Sequence, residues 1–164
     1  MTRNEYNNGV SLWADDVYRY AVHCCGDREQ SKDYVQEAFA TLWEKREEVD
    51  TEKGKSFLLT VVHNHVISHF RHEAMHRERA DMLRGEQMTG PDEAFDLHDA
   101  IQKAMEALPQ VQREAVMLKD VEGYDCREIA DILSINENQV RVYLFRARVS
   151  MKKTLIALGY DGNN

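Results

Sequence analysis

The chain has 164 residues, 43% hydrophobic and 30% charged, with a formal net charge of −8. That length suits one ordinary domain or two small ones, and the composition excludes a disordered chain. No apolar run is long enough to cross a bilayer, and the opening stretch MTRNEYNNGVSLWADD lacks the apolar core of a signal peptide, so a cytoplasmic location without membrane insertion is expected.

Only two prolines and eight glycines interrupt the chain, and β-branched runs are few, so helices are favoured throughout. Residues 10–25 place Leu12, Val17, Tyr20, Ala21 and Cys24 at helical spacings. In residues 30–48, Val35, Phe39, Leu42, Trp43 and Arg46 recur every three or four positions, the stripe of an amphipathic helix, and Ser31 stands where an N-cap belongs. VDTEKGK at 49–55 is a polar break containing Gly54. A third helix is predicted from Ser56 to about Arg79, with Phe57, Leu58, Val61, Val62, Val66, Ile67 and Phe70 on its buried side. Three such helices make a small bundle.

Residues 79–93 hold Gly85, Gly90 and Pro91 and little periodicity, which reads as a linker. Periodicity returns with Phe95, Leu97, Ile101, Met105 and Leu108 and stops before Pro109. A helix from Gln110 to Val121 follows, with Val111, Ala115 and Leu118 inward, and EGYD is a turn. The expected architecture is all-α. Two small helical domains, 1–79 and 94–164, are joined by an acidic linker at 80–93.

The last segment carries the most information. Asp125 and Glu128 form a capping box for a helix through Leu133, with Ile129 and Leu133 inward and small Ala130 where a second helix crosses. Ser134-Ile135-Asn136 makes a tight turn. Asn136 and Gln139 then cap a helix whose inner face is Val140, Leu144, Ala147 and Met151. Two short helices, a tight turn and a basic outer face make a helix-turn-helix, whose second helix fits the DNA major groove. The same pattern also fits a basic surface helix of an ordinary bundle.

Charge is segregated along the chain. Residues 26–52 and 80–106 each carry a net −5, whereas 53–79 carry +3 with five histidines besides and 134–156 carry +4. Binding phosphate needs local positive potential, not a positive total. The three cysteines, Cys24, Cys25 and Cys126, are odd in number and lack a second ligand pair at zinc spacing. They read as structural or incidental thiols, and no metal or cofactor is expected.

Taken together, ALPQVQREAVMLKDVEGYDCREIADILSINENQVRVYLFRARVSMKKTL resembles the promoter-binding region 4 of bacterial sigma factors. DYVQEAFATLWEKR resembles region 2 of the same proteins, GDREQSKD precedes it as in the family, and FLLTVVHNHVISHFRH resembles the helix that follows. With no other region between the two blocks, the chain is similar to the compact extracytoplasmic-function group. The resemblance implies a non-enzymatic initiation factor that binds core RNA polymerase (β′ clamp helices, β flap), brings it to promoter DNA and helps open the duplex, with an anti-sigma factor as a further partner. It assigns Asp33, Gln36 and Glu37 to polymerase contact, and Phe39, Leu42 and Trp43 to the core. Lys53, Lys55, His63, Asn64, His69, Arg71 and His72 fall to the −10 element, where charge and stacking hold a separated strand. Asn138, Gln139, Arg141, Val142, Tyr143 and Arg146 fall to the −35 element.

Four departures from the family pattern stand out, the first being that KGKSFLLT is about two residues shorter than the family's usual loop-to-helix junction and lacks a tryptophan there. Ser134 occupies the turn position where glycine is common. Val142 and Tyr143 replace small polar and basic residues, pointing to apolar contact with thymine methyls. His65, His69, His72 and His76, spaced four-three-four on one face, leave open a DNA-facing or solvated role, pH-tuned binding or a metal. A stand-alone helix-turn-helix regulator explains 109–155 but not the DYVQEAFATLWEKR block. An enzyme lacks any nucleophile–base pairing or phosphate-cradling glycine loop.

Overall fold

The computed structural model describes the backbone of residues 1–80 and 96–160 and the side chains of all of these except 76–80. Among the described residues there are seven α-helices and no strand. The first module consists of α1 (Arg3–Cys25), α2 (Arg28–Glu44) and α3 (Gly54–Ala80), which pack pairwise as a three-helix bundle. In the second, α4 (Leu97–Glu106), α5 (Gln110–Val116) and α6 (Cys126–Leu133) pack around α7 (Glu137–Ala157). The connector expected at 80–93 lies, beyond Ala80, outside the described residues, as does Phe95.

The helix starts differ from the sequence expectation for local reasons. α1 begins at Arg3 because Thr2 and Glu5 form a capping box, a T-x-x-E signal that precedes the first apolar position. α2 is capped by Asp27, which accepts from the Gln30 amide, and not by Ser31. Ser31 is buried one turn in, and its hydroxyl donates to the Asp27 carbonyl at 2.6 Å. Gly54 belongs to α3 and not to the preceding break: a short 3-10 turn, Thr51–Lys53, leads straight into it. Gly9 and Gly54 flank the Trp13 indole so closely that an added Cβ would sit 2.4 Å and 2.6 Å from the ring. The two glycines let α1 and α3 close around a tryptophan.

Val17, Tyr20, Ala21, Cys24, Phe39, Leu42, Leu58, Val62 and Val66 are buried, as their spacing predicts. Other expectations need correcting. Leu12 is 70% exposed, and Trp43 stands at the rim, its ring packed on Tyr6 (4.9 Å between centroids) and covered by the Arg46 guanidinium at 4.0 Å. In α4, Leu97 and Ile101 face outward, while Ala100 and Ala104 are fully buried. Two alanines let α4 approach α7 closely, a contact that weighting by large apolar side chains overlooks.

The second module follows the predicted caps. Asp125 with Glu128, and Asn136 with Gln139, form capping boxes at α6 and α7. α5 widens at its end: the Glu122 amide bonds back to the Met117 carbonyl at 3.0 Å, one residue further than in an α-helix. The modules share one continuous core, joined where α3 meets α6 and α1 meets α5.

Candidate nucleic-acid interface

The α6–α7 turn is held by Ser134 in the left-handed region (φ 55°), its amide bonded to the Ala130 carbonyl. Serine takes the place of glycine at a conformational cost. The turn fixes the entry of α7. Val140, Leu144 and Ala147 then lie buried against the module, with Met151 half-buried. The opposite face presents Asn138, Gln139, Arg141, Val142 and Arg146 to solvent, with Tyr143 half-buried beside them. Arg141 is steadied by Glu137 one turn earlier (3.1 Å) and by Asn138 (3.4 Å). Phe145, 69% exposed, and Arg148, paired with Asp120 at 3.3 Å, extend this face; neither was assigned to DNA from sequence.

The residues assigned to the −10 element divide between the 3-10 turn, which carries Lys53, and three faces of α3. Asn64, Arg71 and His72 point outward and are exposed. His69 is half-buried, edge-on to Tyr34 (6.2 Å) and 3.3 Å from Glu73. His65, one turn before it, stacks flat on Tyr34 (5.2 Å, 11°) and reaches Glu37 at 3.1 Å. Lys53 is exposed at the end of the 3-10 turn. Lys55 and His63 depart from the DNA-facing expectation. With Leu59 between them they recur every four positions, and that face of α3 is turned to the second module. His63 is 2% exposed, its Nδ1 2.7 Å from Glu114 Oε1. Lys55 Nζ lies 2.8 Å from Asp16 and 2.7 Å from Glu122. Burial works to lower the Lys55 pKa, but its hydrogen bonds to Asp16 and Glu122 outweigh this and raise it above its ordinary value. The bond to Lys55 holds the Asp16 carboxyl below its own.

The acceptor at the centre of the interface, Glu114, is fully buried. Tyr20 donates its hydroxyl to Oε1 at 2.9 Å, and Gln110 donates to Oε2 at 2.7 Å. Burial, and then the Glu114 charge, pushes the Tyr20 phenol well above its ordinary pKa, so it stays a donor. The neighbouring Arg113 donates to the carbonyls of Met105, Glu106 and Leu108 at the end of α4 and to that of His23 in α1. It thereby satisfies acceptors that helix ends leave open. The sequence marked Arg113 and Glu114 only as a family motif. Their work depends on what the fold brings against them.

On α2, Asp33, Gln36 and Glu37 are exposed on one acidic face. Cys24 and Cys25 are buried and Cys126 is half-buried, all as free thiols, and burial raises the Cys24 pKa well above its usual value. Among the described residues no group of three His, Cys, Asp or Glu side chains is arranged to hold a metal, and no helix is long and apolar enough to cross a membrane.

The chain matches the family model for sigma-70 region 2 over residues 10–75 and that for sigma-70 region 4 over residues 98–151. Its relatives include the ECF RNA polymerase sigma factor SigM of Bacillus subtilis (strain 168), 26% identical over 145 residues, which span 86% of this chain and 89% of that protein. Another is the ECF RNA polymerase sigma factor SigL of Mycobacterium tuberculosis (strain ATCC 25618 / H37Rv), 29% identical over 150 residues, 87% of this chain and 84% of that protein. The chain is a sigma factor of the extracytoplasmic-function group.

The fold agrees with this. The co-crystal structure of the sigma factor RpoE with the anti-sigma factor NepR from Bartonella quintana superposes with a TM-score of 0.75 at 21% identity, covering 93% of this chain and 98% of that one. The structure of CnrH with the cytosolic domain of CnrY gives 0.68 at 16% identity, over 95% and 90%. In this sigma factor, α1–α3 are region 2 and α4–α7 are region 4. A stand-alone regulator leaves the region 2 match unexplained.

Proposed function

We propose that this sigma factor acts in the cytoplasm, reading the −35 element with the outward face of α7 and the −10 element with the end of the 3-10 turn and α3. The observation that carries the reading is α7 itself. A capping box and a buried inner face fix its rotation, so Asn138, Gln139, Arg141, Val142 and Arg146 project together. Glutamine, asparagine and arginine suit base edges and phosphates, and Val142 suits a thymine methyl. Tyr143, half-buried, flanks this set as a backbone contact.

On region 2, Asn64, Arg71, His72 and Lys53 form the accessible part of the −10 surface, with His69 at its border. Lys55 and His63 join it only when region 4 moves away. Asp33, Gln36 and Glu37 form the docking face for core RNA polymerase, where acidic charge orients a protein partner rather than DNA. The superposable sigma factor RpoE was captured with the anti-sigma factor NepR, which supports the same class of partner here. Transcription in vitro tests the assignment: core polymerase with this chain should initiate at a subset of a promoter library, and failure to co-elute with core polymerase would refute it.

A further inference from the structure

The outward side of α7 is less basic than the charge of its segment suggests. With about 100° of turn per residue, Asn138, Val142, Phe145, Val149 and Ile156 all fall within about 30° of one line along the helix. That line runs almost opposite the buried Val140, Leu144 and Ala147. After Asn138, every residue on it is apolar and exposed. The cations stand to either side: Arg141 and Lys152 along one flank, Arg146 and Lys153 along the other. Arg146 and Lys153 line a recess together with Phe145 and Val149. Single exposed apolar side chains are ordinary on a soluble protein. A continuous row of them, rimmed by cations, marks a binding face for something anionic that offers apolar points of contact.

The promoter duplex has both properties. A helix with its side chains is about 10–12 Å across and the major groove about 12 Å wide. Only the middle line of the outward face therefore reaches the base edges, and its flanks lie against the phosphates. Asn138, Val142 and Phe145 span about 10 Å of that line at about 1.5 Å per residue, some three base-pair steps. A straight helix stays in the curving groove for only a few turns, so Ile156, about 27 Å along from Asn138, lies clear of the bases. A phenyl ring offers no hydrogen bond to a base edge. The apolar group that the major groove displays is the thymine C5-methyl.

The geometry points to Phe145 as a specificity-determining residue: its ring, 69% exposed in the free chain, packs on a thymine methyl of the −35 element, while Arg141 and Arg146 hold the phosphates on either side. The inference rests on the −35 reading of α7 and adds to it a side chain and the base that this side chain selects.

The test uses holoenzyme assembled from the full chain and a bacterial core RNA polymerase. A duplex library randomised over the −35 element is selected for binding by wild type, Phe145→Ala and Ile156→Ala. Wild type and Ile156→Ala should enrich thymine at a position where Phe145→Ala shows no preference, with all three alike elsewhere in the element. Deoxyuridine at that position removes only the methyl group. It should weaken wild-type binding about 4-fold, the worth of one buried methyl. Binding by Phe145→Ala, about 10-fold weaker at the outset, should not change. Circular dichroism checks that the variants keep their helices, and the deoxyuridine measurement on wild type needs no variant. No thymine enriched by wild type, or a deoxyuridine effect that survives in Phe145→Ala, would overturn the inference while the −35 reading stands. So would Phe145→Ala binding DNA as well as wild type, which leaves the apolar row to a protein partner such as an acidic helix. Failure to form holoenzyme, or to select any −35 sequence, brings down the sigma-factor reading and the inference with it.

Discussion

Asp16 and Lys55 show how one side chain can serve two assignments. Lys55 reads from sequence as a DNA contact, yet the fold gives it two carboxylates. The depressed Asp16 pKa means that its contribution to stability is present above the unfolded carboxylate range and is lost as pH falls through the folded value, below 3.8. Thermal melts of wild type and Asp16→Asn should therefore differ at pH 7 and converge as the pH falls below the ordinary carboxylate range; a gap that persists at low pH would detach the effect from titration. Glu114 poses a sharper case. Glu114→Ala strands the Tyr20 hydroxyl, the His63 ring and the Gln110 amide in a buried site, so a loss of about 2–4 kcal/mol is expected in chemical denaturation. A loss below about 0.5 kcal/mol, the range of a neutral surface change, would show that the site is not closed in solution.

At the scale of elements, the caps of α6 and α7 were legible, that of α2 was placed at Ser31 instead of Asp27, and the contacts were not legible. The α6 and α7 boxes form as read because a cap needs only residues three apart in sequence. Ser134 likewise adopts the left-handed turn its position implies. Ser134→Gly should relieve that cost and raise stability by about 0.5–1 kcal/mol, less the extra entropy glycine gives the unfolded chain. A drop in melting temperature would mean that the serine side chain serves the turn in another way. The faces of α3 and α4 were read less well. The α3 pattern hid Leu59 and His63 because this helix is covered from two sides, by its own bundle and by region 4. In α4, small residues make the packed face, so the large apolar residues pointed the wrong way.

Over the whole molecule, the division of charge becomes a division of labour between surfaces. α7 carries basic residues over an apolar inner face, and α2 carries acids over its own. Arg141→Ala and Arg146→Ala should each weaken binding of promoter DNA to the holoenzyme by about 1–3 kcal/mol while leaving assembly with core polymerase intact. Glu37→Lys should do the reverse, lowering co-elution with core while the isolated chain keeps its affinity for single-stranded DNA. Equal effects on both readouts from either kind of variant would mean that the two surfaces are not separate. The sequence by itself determined the helices, the caps of α6 and α7, the helix-turn-helix and the family, because these depend on periodicity and on signals only three or four residues long. Only the tertiary structure decided that region 4 closes on region 2 and that His63 and Lys55 face Glu114 and Glu122. Those pairs are 51 and 67 positions apart in the chain, and no local pattern encodes which distant carboxylate a buried histidine or lysine will meet.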